Sequence, residues 1–229
     1  MPTIHDDEFG KIVIRKTTTS RQIRIRVAPD GSLRASMPVR TPLLFLKKMI
    51  RDSRDELRAM VAEARPIARY YDGQPIGKRH ILVFQKGATT RVERKDRTLL
   101  VTAPDVSFLS DAEGTARIRE VVIKILRREA KEYLPKRLAY IADHMGCSYE
   151  RVRFSHASSR WGSCSSTGTI SLNIALMKLP LELIDYVLVH ELAHTKQMNH
   201  SKDFWAIVAA YDAAYKEHKQ LIGNETPSL

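Results

Sequence analysis

Between Gln22 and Pro38 apolar and polar residues alternate. Ile23, Ile25 and Val27 fall on one face and Arg24 and Arg26 on the other, and Pro29-Asp30-Gly31 supplies turn chemistry before Leu33, Ala35 and Met37 resume the pattern. The period of two predicts a β-hairpin with one apolar and one basic face. After Pro38 and Pro42 the period lengthens. Leu46, Met49, Ile50, Leu57, Met60 and Val61 recur at helical spacing through LLFLKKMIRDSRDELRAMVAEA, which predicts one helix. The same order then returns: HILVFQ and TRVERKDRTLLVTAP read as strands turning at Lys95-Asp96, Pro104 closes the last, and a long helix follows from Ser110. Ser110 with Glu113 makes a capping-box pattern, which places the helix start. Ile118, Val121, Val122, Ile125 and Leu126 mark its buried stripe, Gly146 suits its C-cap, and Pro135 predicts a kink or a split. The repeated order suggests a weak internal duplication.

Beyond Gly146 the pattern predicts two strands, roughly 151–157 and 168–175, joined by a Ser/Gly-rich loop. Pro180 suits the first turn of a helix. On that helix Leu181, Ile184, Leu188 and Leu192 form one apolar stripe, while Leu183, Val187, His190 and His194 form its neighbour. Ser201 is a ready N-cap for a last helix in which Phe204, Val208, Tyr211 and Tyr215 recur at core spacing, and NETPSL closes the chain as a polar tail. The expected architecture is α+β: β-hairpin and helix units in a basic N-terminal region, 1–109, followed by a second domain of helices with a small sheet, 110–229.

At 229 residues and 43% hydrophobic content the chain can bury a proper core. MPTIHDDEFG has no basic n-region or apolar h-region, and no charge-free run approaches the length of a membrane span, so a soluble cytoplasmic protein without a membrane role is expected. Cys147 and Cys164, the two cysteines, lack the paired spacing of a zinc ribbon and read as reduced thiols. The net charge of +12 is unevenly spread: residues 1–100 hold 22 Lys+Arg against 11 Asp+Glu. Such a field attracts polyanions, so nucleic acid, nucleotides or another acidic partner are candidates beside the simpler reading of a solvated basic face.

The candidate chemistry lies in HELAHTKQMNHSKDFW. His190 and His194, four apart, project from one helical face and can bind one ion, while Glu191 sits about 100° round and lies beside the ligands. His200 can join them only if the helix stops, because six further residues on an ideal helix rotate it about 240° away. Asn199, tolerant of a left-handed end, and Ser201 as a new N-cap both predict such a stop. The metzincin pattern has the same six-residue step, but Gln197 stands where it has glycine. Three neutral imidazoles leave a fourth tetrahedral position for water, which marks a catalytic zinc. The ion lowers that water's pKa, and Glu191 is placed to take its proton, so the expected reaction is hydrolysis.

The chain resembles the YgjP-like metal-dependent hydrolase family, related to the SprT-like and WLM zincin metallopeptidases. SSRWGSCSSTGTISLN (158–173), the Leu-Pro before the helix, HELAHTKQMNH, SKDFW and the N-terminal SRQIRIRVAPDGSLRASMP carry the likeness. It implies one zinc per chain on His190, His194 and His200, Glu191 as catalytic base, and a zincin-like core of helices flanking a small sheet. It also implies that RWGSC and the strand ending near Asn173 lie beside the metal, where a peptide pairs with the sheet edge. Arg160 is then a candidate to stabilise negative charge, or else ties the loop to the core. Trp161 is a candidate wall or a packing residue, and Asn173 a candidate substrate contact. Peptide hydrolysis is the leading expectation. A nucleoside triphosphate pyrophosphatase using the same metal is the alternative, and a nucleic-acid-associated SprT-like protease a further one.

Overall fold

The computed structural model describes residues 2–28, 32–63 and 70–227. Contacts divide the chain into two compact units, Met1–Arg69 and Tyr70–Leu229. The boundary expected after residue 109 falls within the second.

In the first unit β1 (Thr3–Asp6), β2 (Gly10–Thr17), β3 (Arg24–Val27) and β4 (Leu33–Pro38) form a sheet in the order β1-β2-β4-β3. The β3–β4 hairpin pairs as its alternation predicts, Ile25 opposite Ala35; its Pro29-Asp30-Gly31 turn lies outside the described residues. β1 and β2 were not among the expected strands, although KIVIRK carries the same alternation: Ile12 and Ile14 are fully buried. The expected single helix breaks at Ser53 into α1 (Leu43–Asp52) and α2 (Arg54–Glu63). Leu46, Ile50 and Leu57 are buried as expected, whereas Met49 and Met60 stay exposed. Arg54 and Arg58 reach Glu8 at 2.6 and 2.5 Å, which ties α2 to the β1–β2 turn and holds the Glu8 carboxyl below its usual range.

The second unit opens with β5 (Pro75–Ile76), β6 (His80–Lys86), β7 (Arg91–Lys95) and β8 (Thr98–Ala103), ordered β5-β6-β8-β7. Here, as in the first unit, the first pair is antiparallel, the middle pair parallel and the last pair antiparallel. The duplication read from strand order therefore extends to connectivity. A 3-10 turn, Val106–Leu109, leads into α3 (Ala112–Met145). Asp111 caps α3 by accepting from Gly114 N, one residue later than expected, because Ser110 is engaged in closing the 3-10 turn on Ser107 O. α3 runs through Pro135 unsplit. Leu134 and Leu138, fully buried on either side, hold it against the core, and Gly146 ends it in the left-handed region at φ 56.

β9 (Arg151–Ser155), β10 (Gly162–Cys164) and β11 (Thr169–Asn173) form the small sheet in the order β10-β11-β9, with β10, a strand the pattern missed, at one edge. A buried 3-10 turn, Ile174–Lys178, leads to α4 (Leu181–Ala193), α5 (Lys202–Tyr211) and α6 (Tyr215–Asn224). Tyr211, expected in the core, ends α5 with 45% exposure, and Tyr215 opens a separate helix. No described helix is long and apolar enough to cross a membrane.

Glu129, 2% exposed on α3, anchors the start of β6. Its carboxylate accepts from Lys78 N at 2.7 Å, Arg79 N at 3.1 Å and His80 Nδ1 at 2.7 Å. Gly77, at φ 65, permits the approach, since a Cβ there would stand 2.3 Å from Glu129 Oε2. Glu129→Ala strands three donors and should cost roughly 3 kcal/mol of unfolding free energy in urea titration.

Candidate metal centre

α4 is apolar nearly all round, which buries it as the central helix behind the small sheet. Glu182 and Asp185, the latter paired with Arg137, lie near its start, and the candidate chemistry, His190 and Glu191, comes in its last turn. His194 is the C-cap, and the chain leaves the helix there because local bonds hold the turn. Gln197 N donates to Ala193 O, Gln197 O meets His194 Nδ1 at 3.2 Å, and Lys196 Nζ donates to Met145 O at 2.6 Å. Asn199 contributes through its side chain, which accepts from Ser201 N; Asp96, not Asn199, is the one described non-glycine residue with positive φ. Ser201 caps α5 by accepting from Phe204 N, as expected.

This stop swings His200 back toward α4. One nitrogen from each of His190, His194 and His200 lies within 4.8 Å of the others, and His190 Nε2 faces His200 Nε2 at 3.2 Å. Two nitrogens bound to one zinc at about 2.0–2.1 Å and tetrahedral angles stand about 3.3 Å apart, so the spacing fits. Donor chemistry fits too. His194 Nδ1 is engaged by Gln197 O, which turns Nε2 toward the cluster. Burial, then the charges of His194 and His200, push His190 down to about 4; burial also lowers His194. Both rings are therefore neutral with lone pairs to donate. Phe204, fully buried, forms the floor of the cluster, with ring centroids 5.0, 4.6 and 4.7 Å from His190, His194 and His200. Trp205 stacks between His200 and Tyr215.

Glu191 is 5% exposed and lies beside the three nitrogens rather than among them. Burial raises its carboxyl to about 8, with the Arg160 guanidinium pulling the other way. β10 runs against it: a Cβ at Gly162 would come within 2.5 Å of Glu191 Oε1 and 2.8 Å of Cδ. Only glycine leaves that carboxylate its position. Gly162→Ala should therefore keep full metal content and fold while turnover drops by at least about tenfold, as misplacing a catalytic group does; unchanged turnover would show that the carboxylate's position does not matter.

Trp161 lines a cavity of about 180 Å³ beside Glu191, together with Gly162, Tyr186, Val187, His190 and Ile222. Arg160 is exposed, within electrostatic reach of Glu191. Asn173 sits differently from the other candidates. It is fully buried, its amide donates to Ala157 O and Arg160 O at 2.7 and 2.9 Å, and its oxygen accepts from Ala175 N, so it braces the loop that carries Arg160 and Trp161. The pattern missed Gly162, Tyr186, Phe204's role beneath the histidines, and Ile222. A glycine opening a strand and a tyrosine four before His190 on one helical face were the available signals for the first two. Ile222, on a helix of its own, had none.

A mixed α/β fold whose central helix ends in a three-histidine cluster over a small sheet defines a domain of metallopeptidase type. The chain belongs to the YgjP-like family: the family model described as YgjP-like, metallopeptidase domain, matches residues 21–225. This places it among metal-dependent hydrolases. Among solved structures it is similar to the metallopeptidase zymogen of Pyrococcus abyssi abylysin, at 31% identity over 38% of this chain and 90% of that one, with a TM-score of 0.36. A comparison with curated proteins finds no match.

Proposed function

We propose that the chain is a zinc-dependent peptidase with one zinc per chain held by His190, His194 and His200. The observation that carries the reading is the convergence of three imidazoles beside a buried carboxylate that is not among them. Bound zinc would supply Lewis acidity, polarising a scissile carbonyl and acidifying water. Glu191, its proton affinity raised by burial and opposed by the Arg160 guanidinium, takes the proton from the attacking water in its ionised form and returns it to the leaving amine. Arg160 offers a guanidinium to the negative charge that develops on the substrate. β10, at the sheet edge, leaves backbone groups for an extended peptide to pair with.

The cavity favours a peptide over a nucleotide. At about 180 Å³ it compares with a cavity of about 150 Å³ that holds benzene, and lies below the range of roughly 300–1,000 Å³ for larger ligands. Its walls carry no Lys or Arg, and Trp161, Tyr186, Val187 and Ile222 make them largely apolar. One apolar side chain flanking the cleaved bond is the occupant this supports. Zinc-loaded protein incubated with a random peptide library, its products sequenced by mass spectrometry, should show one apolar position beside the cut. A parallel nucleotide panel should release no pyrophosphate. Pyrophosphate release without peptide cleavage would transfer the site to the nucleotide reading.

A further inference from the structure

One face of the sheet in the Met1–Arg69 unit is covered by α1 and α2, and the register fixes what lies on the other. Arg26 pairs with Arg34, Arg34 with Val13, Arg24 and Arg15 each with Ser36, and Lys11 with His5, so these side chains share one face. Lys11, Arg15, Arg24, Arg26 and Arg34 are all exposed on it, and none of these paired positions is acidic. Asp6 and Glu8 are engaged elsewhere, by Arg54 and Arg58. Neighbouring strands stand about 4.8 Å apart and alternate residues about 6.8 Å, so the five charges lie within about one Debye length of their neighbours.

We propose that this sheet face docks the phosphate backbone of duplex nucleic acid. Guanidinium dominates the face and matches phosphate geometry. Among its described positions the face has no Phe, Tyr or Trp, so it lacks the large stacking platform that single strands use and the aromatic anchors of a membrane-surface element. Val13 is its one large apolar residue, too little for the apolar centre of a protein interface. Backbone docking needs charge alone. The inference stands independently of the hydrolase reading.

Fluorescence anisotropy of the full chain with a random-sequence DNA duplex tests it. With up to four phosphate contacts, from Lys11, Arg15, Arg24 and Arg26, the slope of log affinity against log salt should approach about −3.6, a loss of about 150-fold between 50 and 200 mM. The double variant Arg24→Gln/Arg26→Gln should flatten that slope by about 2, while Lys131→Gln on α3 leaves it unchanged to within about 0.3. Circular dichroism and metal content should be unchanged, and Arg26→Gln should not lower the melting temperature. If the double variant loses fold, Arg15→Gln supplies the same readout. Absent or salt-insensitive binding, equal per-charge loss in the Lys131 variant, or tighter binding to phosphatidylserine vesicles or polyglutamate would each overturn the proposal.

Discussion

Glu191→Gln should keep about one metal ion per chain while peptide turnover falls by about 10²- to 10⁴-fold, the range a positioned acid–base group contributes. Glutamine preserves the volume of a side chain packed against Gly162, and Glu191 is outside the three-nitrogen cluster, so neither fold nor metal should suffer. What disappears is a basic oxygen where burial has raised proton affinity. The substitution thus separates holding the ion from using it. Metal analysis and kcat on the same preparation check it. Loss of metal would make Glu191 part of the ligand set, and unimpaired turnover would move the base elsewhere.

His194→Ala should abolish both properties together. Losing one of three protein ligands should weaken metal affinity by more than the roughly 10- to 100-fold seen when only an outer partner of a ligand is lost. His194 also shapes the turn, through Nδ1 on Gln197 O, and packs on Phe204. His200→Ala is the cleaner companion, because His200 is exposed and its loss leaves the α4 turn intact. Both variants should lack metal after dialysis against a weak chelator, and His144→Ala, an exposed histidine of α3, should retain it. Retention by the two cluster variants would contradict the site.

Why so much of this was legible follows from where the chemistry sits. HELAH encodes its geometry locally, because the helical repeat alone puts His190 and His194 on one face with Glu191 beside them. His200 was legible through punctuation, since Asn199 and Ser201 announce a stop before it, although Asn199 acts through its carboxamide and not through a left-handed backbone. The hairpin at Arg24 to Pro38 was equally local. Long-range choices were harder. Met49 and Met60 share the helical period of Leu46 and Leu57, yet both are exposed, a difference the period alone does not encode. Asn173 looked like a substrate contact from its place at a strand end, whereas folding brings Ala157 and Arg160 carbonyls onto its amide. Ile222 reaches the cavity from a separate C-terminal helix, a proximity no periodicity encodes.

The central claim is that one zinc sits on His190, His194 and His200. Crystals of protein purified without added metal, with diffraction recorded on both sides of the zinc absorption edge, test it most directly. The account predicts one anomalous peak per chain that vanishes below the edge, about 2.0–2.1 Å from a nitrogen of each of the three histidines. No peak there, or a zinc peak held by other residues while the three imidazoles bond only one another, would contradict it.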